Sequence, residues 1–452
     1  MRKLFFIVIV LFLISCNDQS LEKNTDIVFA PTPPMGWNSW DCFGTTVSEE
    51  EVKANADYMA EHLKEFGWQY IVVDIQWYEP NAKAHGYRKF AELDMDEFGR
   101  LIPAVNRFPS SANGNGFKPL ADYIHNKGLK LGIHIMRGIP RQAVKNNLPI
   151  KGTDFTAQEV ADTNSKCPWN TDMFAVKNTE GGQAYYNSII ELYNSWGVDY
   201  IKADDMTAFS GNPADESRKA NINMLSKAIK NFNRPIVLSL SPGPASVEQA
   251  EFLEQNAQLW RISDDFWDKW TDILQMFNYM RAWQNHIGPT TWPDADMLPL
   301  GKIGIRAERG DNRFTRFTKD EQITLMSLWS MFKSPLMFGG NLPDNDEWTL
   351  KLISNEEVLA VNQHSKNNKE IYNKDSIVVW SANPKDSKNI YLGIFNINES
   401  DTSIALKFEN MNLSSNKYQI RDLWEKSDIG SYEDSINLQL NKHGAKLLLL
   451  SL

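Results

Sequence analysis

The chain repeats one local pattern: an amphipathic helix, a glycine, then an apolar strand. Val52, Ala56, Met59, Leu63 and Phe66 fall on one helical face, introduced by the capping box Ser48-Glu49-Glu50-Glu51 and stopped by Gly67. Tyr70 to Trp77 follows as a near-continuous apolar run, as a parallel strand covered on both faces requires. The pattern returns with a helix near Leu120 to Asn126, Gly128 and the strand Leu129 to Met136. It returns again with a helix around Ala184 to Trp196, Gly197 and a strand running from Val198 through Lys202 into Asp204. Further strands are expected at Pro235 to Ser241, Leu259 to Asp264, Trp292 to Leu298 and Pro335 to Phe338, with a first near Met35. Eight such strands predict an α/β fold, a (β/α)8 TIM barrel with long loops over 31–365. A doubly wound sheet is the alternative, weakened because no G-x-G-x-x-G follows any strand. After Gln363 the helical period disappears, and Ser376 to Trp380, Ile390 to Asn396 and Ala445 to Leu450 read as short strands between polar turns. An antiparallel β-sandwich domain is expected over 366–452, covering and stabilising the barrel.

The N-terminus changes the picture of where the protein acts. Met1-Arg2-Lys3 and the apolar run Leu4 to Ile14 have the form of a signal peptide too short to span a bilayer. Leu13-Ile14-Ser15-Cys16 is similar to a bacterial lipobox, so 1–16 is expected to be a lipoprotein signal that leaves Cys16 lipidated, with 17–30 as a tether. The expectation is an exported lipoprotein at the outer membrane, on the periplasmic side or the cell surface, touching membrane only through its anchor. With 47 basic against 57 acidic residues the chain carries a net charge of −10, which repels phosphate backbones and excludes nucleic acid as a partner. Beyond Cys16 only Cys42 and Cys167 remain, able to form one disulfide or none, and no C-x-x-C or H-E-x-x-H spacing suggests a catalytic metal.

Barrel chemistry sits where strands end on the C-terminal side. Those ends carry Trp40, Asp74, His134, Lys202 with Asp204, Ser241, Asp265 and Asp296. Carboxylates accept hydrogen bonds from hydroxyls and indoles stack on sugar rings, so this mouth suits a neutral, polyhydroxylated substrate. Two of its carboxylates could act as nucleophile and proton donor in glycoside hydrolysis. A non-catalytic sugar binder is the competing reading.

A series of motifs then acquires a family. Pro34-Met35-Gly36-Trp37-Asn38-Ser39-Trp40, Asp74 with Trp77, Gly99-Arg100-Leu101, Arg107-Phe108-Pro109, Leu120 to His125 and Gly128 to Ile133 resemble successive motifs of the family-27 glycoside hydrolases, the α-galactosidase family. Val198 to Asp204, Trp260-Arg261 with Asp265, Asp294 to Leu298 and Arg421-Asp422-Leu423-Trp424 continue the series in order, over roughly 31–450. The resemblance implies a (β/α)8 barrel followed by an antiparallel β domain, retention of configuration and no cofactor. It assigns Asp204 as nucleophile, Asp265 as acid/base, Lys202 and Arg261 as ligands of sugar hydroxyls, and Trp40 as ring platform. Asp74 and Asp296 lie in matching motifs and join the substrate-binding set. Asp205 receives no role and is expected to support the site from behind.

The departures bear on the substrate. Where the family commonly has two adjacent acids gripping O4 and O6 of galactose, this chain has Asp74-Ile75. Ile75 cannot accept a hydrogen bond, so an O6 hydroxyl buried against it goes unpaired at a cost of about 1–3 kcal/mol. A pentopyranose avoids that cost, so the expected substrate is a β-L-arabinopyranoside, with strict α-galactosidase activity as the alternative and plant-type galactosyl- or arabinosyl-bearing glycans as partners. His134 replaces a Tyr and Ser241 replaces an acid. The small Ser241 could admit a 2-acetamido group, as an α-N-acetylgalactosaminidase requires, but that sugar also carries O6. Met206 stands where the family has a cysteine, so the family's disulfide at that loop is missing.

Overall fold

A computed structural model describes residues 29–207, 213–232, 234–413 and 417–452; the expected signal peptide, Cys16 and most of the tether lie outside the described residues. Eight strands form the first sheet: β1 (Met35–Asn38), β2 (Tyr70–Val73), β3 (Lys130–Met136), β4 (Tyr200–Asp204), β5 (Val237–Leu240), β6 (Leu259–Arg261), β7 (Trp292–Asp294) and β8 (Leu336–Phe338). Their order is β7-β6-β5-β4-β3-β2-β1-β8, and every neighbouring pair is parallel. A parallel bridge from Leu298 to Phe338 closes the ring, with the Leu298 amide donating to Met337 O at 2.7 Å and the Gly339 amide to Leu298 O at 2.9 Å. The predicted TIM barrel is the fold.

Local signals account for the repeats. The helix Glu49–His62 starts on a complete capping box, Ser48 with Glu51. Gly67 (φ 94°) and Gly197 (φ 87°) take the left-handed conformation that ends helical segments before β2 and β4.

Several strands end sooner than expected. β2 stops at Val73, β6 at Arg261 and β7 at Asp294, so Asp74 to Trp77, Ile262 to Asp264 and Ala295 to Leu298 belong to loops. The apolar residues of these stretches, Ile75, Trp77, Ile262 and Met297 among them, are buried although they lie outside the strands, so burial continues where regular pairing stops. A small antiparallel sheet of Ile139–Pro140, Ala161–Lys166 and Met173–Val176, lacking a clear alternation, is an addition that the apolar pattern does not predict. It carries Cys167 to Trp169 to the barrel mouth. Cys42 and Cys167 are both buried free thiols, which resolves the open choice between one disulfide and none.

From Ser365 onward the chain is antiparallel. Six strands form one sheet, packed on the pair Thr402–Lys407 and Ser435–Leu440. Alternation along Ile377–Pro384 divides the labour: Ile377 and Val379 fill the sandwich core, while Val378 and Trp380 join the barrel's core. The sandwich is thus fastened to the barrel by apolar packing, reinforced where Arg421 grips Glu357 through two bonds of 2.8 and 2.9 Å.

Candidate active site

The register of β4 places the central carboxylate. Tyr200, Lys202 and Asp204 alternate onto one face of the strand, the face lining the barrel interior, and His134 and Met136 of β3 stand beside Lys202 and Asp204. Asp204 Oδ1 accepts from Ser241 Oγ and from the Asp205 amide, both at 3.0 Å. Asp204 Oδ2 lies 3.2 Å from His134 Nε2, which donates because an ionised carboxylate can only accept. Burial pushes the Asp204 pKa up, but the His134 hydrogen bond and charge, the Lys202 charge and the Asp205 amide outweigh it and bring the value down to about 2. The group is a carboxylate at neutral pH.

Beside it, Asp74 Oδ2 accepts from Lys202 Nζ at 2.9 Å and from Asn38 Nδ2 at 2.7 Å, and Asp74 Oδ1 accepts from the Ile75 amide at 2.8 Å. Burial would raise the Asp74 pKa, but Lys202, His134 and Asn38 lower it overall, while Lys202 is raised in turn despite its own burial. Across the mouth, Asp265 follows β6 with 33% of its side chain exposed, and Arg261 Nη2 approaches its Oδ1 at 3.3 Å. Arg261 Nη1 is held at 2.7 Å by Asp296 Oδ1, and Asp296 Oδ2 accepts from the Phe266 amide at 2.8 Å.

Asp204 and Asp265 open onto one cavity of about 420 Å³, whose walls also include Trp40, Asp74, Ile75, Lys202, Ser241 and Arg261. His134 and Asp296, expected from the sequence to meet substrate, do not line it; they stand one layer behind, His134 on Asp204 and Asp296 on Arg261. Asp296 lies two residues past the end of β7 and His134 two residues before the end of β3. The Asp296 oxygens bond Arg261 and the Phe266 amide, and His134 Nε2 bonds Asp204 while its Nδ1 has no partner among the described residues. The Ser241 hydroxyl is committed to Asp204. Asp205 makes an ion pair with Arg137 at 2.7 Å and another with Arg218 at 3.1 Å, anchoring the chain just past Asp204 from behind.

Other residues were not legible in the sequence. Tyr87 stacks on Trp40 (centroids 5.9 Å apart, 20° between planes) and meets Trp169 at 5.5 Å, so three aromatics run outward along the cavity wall. Tyr87 and Trp169 come from long loops without periodicity, and their aromatic character was the only available signal. Asp41, next to Trp40, is fully buried with Oδ2 unpartnered among the described residues. Burial, helped by the charge of Asp296, pushes its pKa well up, which favours the neutral acid.

An ionised carboxylate and a partly exposed carboxyl group on one indole-walled cavity are the equipment of glycosidic bond cleavage. Residues 32–179 and 170–364 match the family described as Alpha galactosidase A, and residues 374–450 match the Alpha galactosidase C-terminal beta sandwich domain. The chain is 53% identical, with a TM-score of 0.91, to a family-27 β-L-arabinopyranosidase from Geobacillus stearothermophilus, covering 94% of this chain and 97% of that one. It is 29% identical to an α-galactosidase of Coffea arabica over 93% of this chain and 94% of that protein. It is 28% identical to one from Cyamopsis tetragonoloba over 93% and 86%. The chain therefore belongs to the α-galactosidase family, the family-27 glycoside hydrolases, and is a glycoside hydrolase.

Proposed function

We propose that this enzyme releases terminal β-L-arabinopyranosyl residues, in preference to α-D-galactopyranosyl residues, by a double displacement that retains configuration. The observation carrying the preference is the place of Ile75: 1% exposed, bonded through its amide to Asp74, and on the wall of the cavity that Asp204 and Asp265 share. An apolar wall beside an O4-gripping carboxylate fits a ring with no exocyclic hydroxymethyl group. The β-L-arabinopyranosidase activity of the Geobacillus relative supports the same reading. The Ser241 hydroxyl, already donated to Asp204, offers little to a 2-acetamido group.

In this mechanism Asp204 attacks the anomeric carbon as Asp265 gives its proton to the departing glycosidic oxygen, leaving a glycosyl ester on Asp204. Asp265, now a carboxylate, takes a proton from water, whose oxygen attacks the anomeric carbon and returns Asp204 as a free carboxylate. Lys202 and Arg261 supply fixed positive charge and donors toward the sugar hydroxyls. Export as a lipoprotein, supported by the Cys16 motif, would place this reaction outside the cytoplasm.

The test is kcat/KM on aryl β-L-arabinopyranoside and aryl α-D-galactopyranoside. The wild type is expected to favour the arabinoside. Ile75→Asp, which restores an acceptor for O6, is expected to move the ratio toward the galactoside by about 10-fold or more, the scale set by one unpaired buried hydroxyl. A wild type favouring the galactoside, with a ratio unmoved by the substitution, would overturn the assignment.

A pH prediction follows from His134. Because Asp204 has a depressed pKa of about 2, loss of the nucleophile's charge sets no acid limb in wild-type kcat/KM above about pH 3. His134→Leu removes the imidazole's bond and charge and leaves the opposing burial in place. Its acid limb is expected to rise by about one pH unit or more. Profiles that coincide would show that His134 does not tune Asp204.

A further inference from the structure

The second large cavity lies far from the chemistry, at the seam between barrel and sandwich. It measures about 690 Å³ and is walled by the Gln284 to Trp292 segment before β7, by Lys333, and by the first two strands of the sandwich. Four lysines line it, Lys333, Lys366, Lys369 and Lys385, and no Asp or Glu does. In a chain of net charge −10 this is a reversal of the general balance. Like charges gathered in one recess raise each other's energy, and an anion seated among them would relieve it.

Lys333 shows the imbalance most clearly. It ends the helix Lys319–Phe332 in a left-handed conformation (φ 59°) and is only 3% exposed. Its Nζ donates to Asn362 O at 2.7 Å and Ser365 O at 3.1 Å, which are neutral carbonyls rather than counter-charges. Burial and the charge of Lys385 push its pKa down to about 7. Lys366 Nζ donates to Lys385 O, while the Lys369 and Lys385 ammonium groups have no hydrogen-bond or ion-pair partner among the described residues. Lysines on an edge strand can serve simply to discourage sheet-to-sheet pairing, and Ser365–Lys374 is an edge. That role explains neither a buried Lys333 nor the amides that share the recess. Gln284 is one of them, its Oε1 occupied by the Glu370 amide at 2.9 Å, which leaves its own NH₂ to donate.

We propose that this seam is a second carbohydrate site, which holds the carboxylate of an acidic sugar while the barrel mouth cleaves a neutral terminal sugar elsewhere on the same glycan. Ammonium groups match the carboxylate, and the side-chain amides of Gln284, Asn285 and Asn383 match ring hydroxyls. A recess of this size suits one or two sugar rings rather than a lone inorganic anion.

The experiment titrates the full protein, at low salt, with methyl galacturonide, methyl galactoside and inorganic phosphate, following binding by ligand-observed NMR. The uronide is expected to bind, to weaken as salt is raised, and to lose about 10-fold or more in affinity in the K369E/K385E variant. These two lysines are exposed, so the fold should tolerate the change, and kcat/KM on a small aryl glycoside is expected to stay at the wild-type value. That assay reads the barrel mouth alone, so it separates failure of the second site from failure of the proposed glycosidase activity. Absence of uronide binding, uronide affinity unchanged in K369E/K385E, or phosphate binding more tightly than the uronide would each overturn the proposal.

Discussion

Asp204→Ala is expected to lower kcat on an aryl β-L-arabinopyranoside by about 10⁴-fold or more, equivalent to ~5.5 kcal/mol of lost transition-state stabilisation. The two carboxylates next to it are engaged elsewhere: Asp74 is tied to Lys202 and Asn38, and Asp205 to Arg137 and Arg218. The fold should survive, since Ser241 Oγ borders a cavity that water can enter, and the space left by the deleted carboxylate lets water reach His134 Nε2 behind it. Added azide has a specific consequence in this variant. With the carboxylate gone, azide can occupy its place and displace an activated leaving group directly, so the glycosyl azide should form with inverted configuration. Activity within 10-fold of wild type, in protein with an unchanged melting curve, would remove Asp204 from the role of nucleophile.

Asp265→Ala should show a different signature, because a proton donor matters in proportion to how badly the leaving group needs a proton. On an alkyl glycoside kcat/KM is expected to fall by about 10²–10⁴-fold, whereas a dinitrophenyl glycoside, whose leaving group departs as the anion, should lose far less. Its second step, deprived of a base, becomes slow, so kcat and KM fall together as the glycosyl ester accumulates. Azide needs no base and should restore turnover with retained configuration, opposite to the product of Asp204→Ala. Equal losses across leaving groups would indicate that Asp265 only binds. Its 33% exposure and single Arg261 contact at 3.3 Å suit a group that must both release and recover a proton.

The contrast between the two carboxyl groups was partly legible before any coordinates. Asp204 ends a strongly apolar strand behind Lys202, and the alternation of a strand is enough to put both side chains on one face. Asp265 is different in kind. It lies in a loop four residues past Arg261, where no periodicity operates; its place after an expected strand marked it as a mouth residue, and only the family's motifs gave it the acid/base role. The same limit explains Asp296 and His134. Position at a strand end brings a side chain near the mouth, but whether it meets substrate or a neighbouring residue depends on which partner reaches it first. Here Arg261 reaches Asp296 at 2.7 Å, and Asp204 reaches His134 at 3.2 Å.

By itself the amino-acid sequence determined the eight-stranded barrel, the antiparallel sandwich behind it, and an apolar Ile75 beside Asp74, because helical faces, capping boxes, apolar strands and single substitutions are properties of neighbours along the chain. Only the tertiary structure decided that Asp204 and Asp265 share one cavity, that Tyr87 and Trp169 extend its wall from distant loops, that Cys42 and Cys167 stay unpaired, and that four lysines gather at a seam in an acidic protein. Those are contacts between segments far apart in sequence, set by how loops pack over the closed barrel, and no local period encodes them.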